Sequence, residues 1–334
     1  MEASIPQPDR INKLRFAADA ALAMLAGMQL DVFTPLRESP KTTEEIAHAI
    51  GVGPARLRLL LYSLVAAGFL TEQDGGFSNT PEANQFLVKG APTYMGNRHL
   101  NFSTSWARKL KTADSIRTGV PQAKLDFSNS SREELEVFLR RITVNAVAAA
   151  RALLERYDFT TVKTLVDVGS GCAGIALTIT KACPQMQATA IDLPLITPIT
   201  QQVVEEEGMT ERVKVIAADV LSGPLPGLYE VAILRNLLQV LSLNDACLAV
   251  KNIGAAIKPG GTIYIVGQIL DNSRTSPLEA LGHNLNFINL FDAGESYTEQ
   301  EHKGWLREAG FLDIQRANFL LPDGDGVMTA RKPE

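Results

Sequence analysis

Residues 165–174 read Leu-Val-Asp-Val-Gly-Ser-Gly-Cys-Ala-Gly, and this stretch decides the fold. An apolar run that contains Asp167 leads into Gly169, Gly171 and Gly174, and apolar, helix-forming residues follow at once. The pattern predicts a buried parallel strand that turns sharply into a helix, with glycines where a ligand approaches the backbone. Because several nucleotide-derived cofactors bind such loops, the loop alone does not identify its ligand.

Strand-like and helix-like segments alternate regularly after this loop. The alternation predicts an open parallel sheet with helices on both faces, in which ligands bind at the carboxyl ends of the strands. The predicted strands cover residues 187–191, 212–216, 229–234 and 262–266, and the predicted helices cover 173–182, 199–208 and 244–257.

Three acidic residues stand at the predicted strand ends. Asp167 precedes the first glycine, and Asp192 follows about twenty residues later, where a carboxylate accepts hydrogen bonds from ribose hydroxyls. Asp219 closes the third strand, within reach of an exocyclic amine. Each of them has an alternative role as a helix cap, but the ordered set favours a nucleoside site.

Length and composition bound the class of protein. The chain has 334 residues, which predicts two domains, and 21% of them are charged, which is typical of an ordered globular protein. A formal charge of -5 favours a small molecule over nucleic acid as partner. No secretory signal or bilayer-spanning stretch is recognisable, and three scattered cysteines exclude a disulfide framework and a zinc site. We therefore expect a cytoplasmic protein without a metal.

The first 90 residues predict a helical module. A broadly apolar helix over 9–34 precedes a capped helix at 42–51, a helix at 55–67 and a hairpin at 69–79, an order typical of a winged helix. Such a module binds DNA or serves in dimerisation. Eight Lys and Arg against ten Asp and Glu up to residue 90 favour dimerisation, since a DNA-binding surface needs net positive charge.

Residues 93–156 predict a helical bridge with a long helix at 133–154. The segment mixes aromatic, basic and polar groups such as Tyr94, Arg98 and Trp106, which suits either a substrate pocket or a surface with a Trp anchor. Asn145 stands among apolar residues of the long helix, where an amide needs a partner or a ligand.

Four segments resemble the S-adenosylmethionine (SAM)-binding motifs of class I methyltransferases. They are Val-Asp-Val-Gly-Ser-Gly at 166–171, Ile-Asp-Leu-Pro at 191–194, Ala-Asp-Val at 218–220 and Lys-Pro-Gly-Gly at 258–261. Two predicted final strands, 311–319 and 326–331, match the antiparallel pair that this family adds to its sheet. The resemblance implies SAM as cofactor, bound by Asp167, Gly169, Gly171, Asp192, Leu193, Asp219, Val220 and Arg235.

The winged-helix segment narrows the resemblance to the plant-type small-molecule O-methyltransferases and their bacterial relatives. It implies an α/β fold with a Rossmann-like methyltransferase sheet and a helical, winged-helix dimerisation domain. The expected domains are a dimerisation domain over 1–92, a helical bridge and substrate lid over 93–156, and a SAM-binding domain over 157–334. A homodimer joined through the first domain, acting on a small molecule and not on nucleic acid or a membrane, follows from the resemblance.

The chain departs from this family at its catalytic positions. Family members that methylate hydroxyls have a histidine after the fourth strand, which removes the acceptor proton, and two glutamates that flank it. Arg235 matches the basic residue of that segment, but Gln239 stands at the histidine position, and Gly267 and Ser296 stand at the glutamates. Because an amide does not titrate near neutral pH, Gln239 can position a substrate but cannot act as a general base.

Two hypotheses follow. In the first, the enzyme methylates a nucleophile that needs no protein base. The favoured reaction is S-methylation of a thioether or a pre-ionised thiol, for example of an acid like 4-methylthio-2-hydroxybutyrate held by Arg98 or Arg108. O-methylation, and N- or C-methylation of an amine or an activated carbon, rank below it. In the second, a relative resembling hydroxylases or pericyclases keeps SAM without transferring methyl. His283 and His99 are the candidate replacement bases, and a lone histidine of either kind has a structural alternative. The predicted substrate contacts are Tyr94, Arg98, Trp106, Asn145, Asn286, Asn289 and Tyr297.

Overall fold

A computed structural model describes residues 6–127, 129–321 and 324–334 of the chain. The chain divides into two compact units, Met1–Ala107 and Arg108–Glu334. The first five residues of the predicted dimerisation domain lie outside the described part. A boundary after Ala107 falls within the predicted helical bridge, and the three-part division at residues 92 and 156 stays a prediction.

The N-terminal unit is built from helices and one hairpin. Its elements are α1 (Asp9–Leu30), α2 (Thr43–Ile50), α3 (Pro54–Ala66), β1 (Leu70–Gln73), β2 (Gly76–Asn79) and α4 (Pro81–Phe86), and α5 (His99–Lys109) begins in this unit. The predicted capping of α2 is confirmed, because Thr42 and Glu45 form a capping box and Gly51 ends the helix in a left-handed conformation.

The first helix is shorter than predicted. It ends at Leu30, because Asp31 adopts a left-handed conformation (φ 58°) and its N–H bonds back to the carbonyls of Gly27 and Met28. Residues Thr34–Leu36 then form a separate 3-10 turn. The predicted single helix over 9–34 is therefore wrong in its last turn, where this C-terminal cap overrides the apolar pattern.

The C-terminal unit contains the predicted sheet. Its helices are α6 (Thr112–Thr118), α7 (Arg132–Arg156), α8 (Gly174–Ala182), α9 (Thr197–Glu206), α10 (Leu243–Ala255), α11 (Leu278–Leu290) and α12 (Glu299–Glu308). Its strands are β3 (Thr164–Val168), β4 (Gln187–Asp192), β5 (Val213–Ala217), β6 (Tyr229–Arg235), β7 (Ile257–Gly267), β8 (Leu312–Arg316) and β9 (Gly326–Arg331).

The strand order is β5-β4-β3-β6-β7-β9-β8. The first five pair in parallel, and β9 pairs antiparallel with β7 and β8. The predicted final pair of strands is thus confirmed, although β8 is shorter than the predicted 311–319. The chain adds β4 and β5 on one side of β3 and then returns to add β6 and β7 on the other side. The strand order therefore reverses at β3, and the carboxyl ends of β3, β4 and β6 border the crevice where such sheets bind ligands.

Alternate side chains of the central strands enter two separate cores. Leu165 and Ile233 pack with α7, α8 and α9 on one face, whereas Val166 and Ile263 pack with α10 and α12 on the other. A strand buried on both faces needs apolar residues at nearly every position, which explains the continuous apolar runs seen in the sequence.

No single helix among the described residues is long and apolar enough to cross a bilayer. Only the pair α2 and α3 satisfies the length and composition together, and the two helices are bent by 109°.

Candidate functional site

The glycine loop after β3 presents its backbone at the carboxyl edge of the sheet. Gly169 (φ 70°) and Gly171 (φ 53°) adopt left-handed conformations that glycine favours. The N–H groups of Gly169 and Ser170 donate to the carbonyl of Ile191 at the end of β4, at 2.9 and 3.1 Å. A Cβ on Gly169 would lie 3.2 Å from Leu237 Cδ1, so a side chain there would crowd this neighbour.

Asp192 ties the loop to the end of β4. Its Oδ2 accepts a hydrogen bond from Gly171 N at 2.7 Å, and its Oδ1 accepts one from Leu193 N at 2.8 Å. Burial raises the pKa of this carboxyl, and the two N–H groups oppose the rise. Leu193 is 45% exposed, which leaves an apolar surface beside the carboxylate. The pair offers a polar group and an apolar face of the kind a nucleoside needs.

Asp167 lies under the loop and not on its surface. It is 2% exposed, and its Oδ2 accepts a hydrogen bond from Ala176 N in the first turn of α8 at 3.0 Å. Burial raises its pKa to about 7. This burial and the bond to Ala176 fit the helix-capping alternative, and direct contact of Asp167 with the cofactor stays a prediction.

The third acidic residue is placed differently. Asp219 is exposed after β5, where its Oδ1 accepts from Leu221 N at 2.9 Å. Val220 is buried, and its carbonyl accepts from Asn252 Nδ2 at 2.8 Å, which fixes the turn. Asp219 is therefore exposed at the carboxyl end of the edge strand β5, next to β4, while Val220 holds the turn in place.

Arg235 ends β6 in a buried ion pair with Asp325, at 2.7 Å, with side chains 11% and 1% exposed. Asp325 also accepts from Gln268 Nε2 at 2.7 Å. The predicted contact of Arg235 with the cofactor would therefore compete with its ion pair to Asp325, which directly precedes β9. Sequence reasoning missed Asp325 and Gln268, since their pairing depends on the antiparallel register of β7 and β9 and leaves no local signal.

Gln239 is 2% exposed and lies against the end of β7. Its Nε2 donates to Asn236 Oδ1 at 3.4 Å and lies 1.8 Å from the position that a Cβ on Gly267 would occupy. A Cβ on Gly294 would lie 2.4 Å from the carbonyl oxygen of Gln239. The glutamine thus fills space that depends on glycine at two other positions.

Ser296 also has a fixed environment. It is fully buried, its Oγ donates to the Ala280 carbonyl at 3.1 Å, and its N–H donates to Asn284 Oδ1 at 2.6 Å. Gln239, Gly267 and Ser296 therefore offer no group that ionises near neutral pH.

The three residues of α11 that the sequence singles out, His283, Asn286 and Asn289, occupy different environments. Asn289 is fully buried, and its amide bonds Ser115 (2.7 Å), Thr112 (2.9 Å) and the Leu285 carbonyl (2.8 Å). It joins α11 to α6, which differs from the predicted substrate contact.

Asn286 is half-buried, and its Oδ1 is buried with no hydrogen-bond partner within the described ranges. His283 is exposed, with its ring 6.1 Å from that of Phe287.

The remaining predicted contacts are distributed over both units. Tyr297 is 1% exposed, and its hydroxyl donates to the Leu241 carbonyl at 2.6 Å, so it belongs to the core and not to a substrate surface. Asn145 is half-buried on α7. In the N-terminal unit, Trp106 stacks on Phe102 at 5.9 Å, while Tyr94 and Arg98 are half-buried; these three are described within that unit.

Within residues 6–127, 129–321 and 324–334, no group of three or more His, Cys, Asp or Glu side chains is arranged to hold a metal ion.

Comparison with known proteins identifies the family to which the chain is similar. Residues 115–312 match the model of an O-methyltransferase domain, and residues 16–89 match that of an O-methyltransferase dimerisation domain. The chain is 25% identical to 3-hydroxy-5-methyl-1-naphthoate 3-O-methyltransferase of Streptomyces sahachiroi, over 92% of this chain and 91% of that one. It is 28% identical to the tetracenomycin polyketide synthesis 8-O-methyl transferase TcmO of Streptomyces glaucescens, over 98% and 97%.

A solved structure supports the fold. The chain superposes on human N-acetylserotonin methyltransferase in complex with SAM with a TM-score of 0.74 and 21% identity, over the full length of both chains.

Proposed function

The chain belongs to the O-methyltransferase family and is a SAM-dependent methyltransferase of small molecules, and we propose that its acceptor atom enters the site already deprotonated or with a free lone pair. Gln239 carries this proposal. A positioned base contributes about 10²–10⁴-fold to rate, or roughly 3–5 kcal/mol of barrier, and an amide supplies none of it. An acceptor that does not need deprotonation loses nothing by this substitution.

The residues of the loop fit the cofactor. Gly169 and Gly171, both left-handed, place no side chain between the loop backbone and a ligand. Asp192 offers its carboxylate to ribose hydroxyls, and exposed Asp219 lies at the same carboxyl edge of the sheet. When bound, SAM supplies an electrophilic methyl group on a sulfonium. Asp167 stabilises the start of α8 after the loop through Ala176 N, and Arg235 stabilises the end of β6 through its ion pair with Asp325.

An ionised oxygen is the acceptor that we favour. Both curated relatives described above are named as O-methyltransferases, so a phenol or enol whose proton is lost before binding keeps the family's acceptor atom and explains the amide. A thioether also satisfies the base-free condition, since sulfur has a lone pair and no proton, but neither of these relatives is named for such a substrate. The thioether is therefore an arm of the test and not the favoured acceptor.

The test measures release of S-adenosylhomocysteine by mass spectrometry. Purified enzyme with SAM is incubated with phenols of decreasing pKa, hydroxy-naphthoates, amines and thioethers. We expect turnover to rise steeply as the phenol pKa falls. The kcat of Gln239→Ala should differ from that of wild type by less than about tenfold. Turnover of a high-pKa phenol that Gln239→Ala abolishes would contradict the proposal. Tight SAM binding without turnover of any compound would favour the second hypothesis, a homologue that no longer transfers methyl.

A further inference from the structure

Two arginines that interact, and a lysine next to one of them in sequence, lie in the C-terminal unit where the end of α5 meets α7 and α11. Arg108 and Lys109 end α5, and Arg141 stands in the middle of α7. All three side chains are half-buried. Among the residues that the structure describes, no carboxylate lies within ion-pair distance of any of them, although the same unit pairs many of its other Arg and Lys side chains.

Arg141 lies over one aromatic ring, and one of its buried donors has no partner among the described residues. Its guanidinium carbon lies 5.7 Å from the centroid of the Phe138 ring, which is itself 5.7 Å from that of Phe127. Its Nε is buried and has no hydrogen-bond partner in the described part of the chain. A buried donor of a charged group that lacks a partner is costly, so Arg141 Nε calls for an acceptor, which a bound ligand can supply.

The charges of Arg108 and Arg141 repel each other. Burial lowers the pKa of Arg108, and the nearby charge of Arg141 lowers it further. Burial also lowers the pKa of Lys109. The negative end of the helix dipole favours basic residues in the last turn of α5, but this explains neither their burial nor Arg141, which is far from the end of α7. Bound negative charge would offset both the burial and the repulsion.

A neighbouring acceptor group extends the cluster toward α11. Lys109 Nζ lies 3.9 Å from the position of a Cβ on Gly282, so the ammonium lies against this helix. Asn286 follows one turn later on the same face, with its buried Oδ1 still without a partner among residues 6–127, 129–321 and 324–334. The junction therefore combines donors for an anion with one carbonyl oxygen for a hydroxyl or amine.

We propose that Arg108 and Arg141 bind a delocalised oxyanion of the methyl acceptor, a carboxylate or an ionised phenol, with Lys109 beside it. Planar guanidinium groups suit such anions because they donate two parallel hydrogen bonds. The inference rests on the proposed function, since it takes the bound molecule to be the acceptor. It also deepens it, because two arginines beside a phenol would favour the ionised form that Gln239 cannot generate.

The experiment measures anion binding without turnover. The full-length protein, saturated with S-adenosylhomocysteine, is titrated calorimetrically with cinnamate and benzoate and with the neutral cinnamamide and benzamide. A second arm follows the absorbance of 4-nitrophenol against pH, with and without protein, to detect the phenolate. The variants are Arg108→Gln and Arg141→Gln, and Arg151→Gln is the control, because Arg151 is exposed on the same helix as Arg141.

We expect at least one acid to bind about tenfold or more tightly than its amide, or 4-nitrophenol to ionise at lower pH when bound. Arg108→Gln and Arg141→Gln should each remove most of this preference and leave the affinity for S-adenosylhomocysteine and for the amides unchanged, while Arg151→Gln changes nothing. The carboxylate and phenolate arms distinguish the two sources of the anion. Equal binding of acids and amides with no shift for 4-nitrophenol, or unchanged preference in both variants, would overturn the inference. Because no step requires methyl transfer, this result is independent of whether the enzyme turns over.

Discussion

Each carboxylate oxygen of Asp192 accepts one backbone N–H, Oδ2 that of Gly171 in the glycine loop at 2.7 Å and Oδ1 that of Leu193 after β4 at 2.8 Å, and each keeps a second lone pair. The carboxylate thus fixes the glycine loop against the end of β4 before any ligand binds. An asparagine keeps one acceptor oxygen and replaces the other by a donor, so it cannot satisfy both N–H groups.

We expect Asp192→Asn to raise the Kd for SAM about tenfold to a hundredfold, since a charge-assisted hydrogen bond contributes about 1.5–3 kcal/mol. Isothermal titration with SAM measures the change. Asp74→Asn is the matched control, because Asp74 lies in the exposed turn of the β1–β2 hairpin at φ 51°, a conformation that Asn tolerates. Equal affinities for the two variants would contradict the role given to Asp192.

Asp167 makes stability depend on pH. Its pKa is about 7 in the folded protein, because burial disfavours the charge, and its ordinary value is 3.8. The folded chain therefore keeps a proton that the unfolded chain has lost between these values. This contribution to stability is fully present below about pH 4 and falls by up to about 1.4 kcal/mol per pH unit until pH 7.

We expect Asp167→Asn to remove this slope while an amide oxygen still accepts from Ala176 N. Denaturant midpoints of the ligand-free variant and wild type, compared at pH 5 and pH 8, measure it. The difference between the two proteins is the relevant quantity, because buried His302, with a pKa lowered to about 4, gives wild type and variant alike a slope of opposite sign. Parallel curves would mean that Asp167 is not protonated at pH 5.

Gln239 and Gly267 share one space. We expect Gly267→Ala to destabilise the protein by about 1–3 kcal/mol, because the new methyl would meet Gln239 Nε2. Gln239→Ala should relieve the part of this cost that comes from the contact, while the backbone strain of a Cβ at φ 159° and the approach to Asn236 Oδ1 at 3.0 Å remain. A double-mutant cycle on the free energy of unfolding measures the coupling. Additive effects of the two substitutions would contradict the shared space.

The first helix carries an apolar surface that the chain itself leaves open. Leu14 is 64% exposed and Leu22 is 55% exposed, within or next to the segment that matches a dimerisation domain. We expect Leu14→Glu with Leu22→Glu to convert a homodimer into a monomer, since charge on a buried apolar interface is unfavourable. Light scattering after size exclusion measures the mass. Leu312→Glu, at a position 58% exposed in the other unit, is the control, and an unchanged dimer in the first variant would contradict the predicted interface.

Local sequence signals predicted the elements of the sheet well. Apolar runs identified all strands from β3 to β7, and the Thr42–Glu45 pair identified the start of α2, because strand burial and helix capping depend on neighbouring residues. The same signals could not tell the cap role of Asp167 from a ligand contact, since both roles suit an aspartate before a glycine loop.

The roles of residues whose partners lie far away in the chain could not be predicted from the sequence. Asn289 reads as a polar residue on a helix face, and only its distance to Ser115, 174 positions away, reveals a bond between α6 and α11. Arg141 has no periodic or motif signal, and its significance comes from burial beside Arg108. Tertiary contact, not local pattern, decides these roles.

The contact between Gln239 and Gly267 also constrains the order in which single substitutions can be made in this chain. A Cβ at 267 would lie 1.8 Å from Gln239 Nε2, so a larger side chain at 267 requires a smaller one at 239 first, or at the same time. An acidic neighbour for an engineered base at 239 therefore has to be introduced together with that base and not before it.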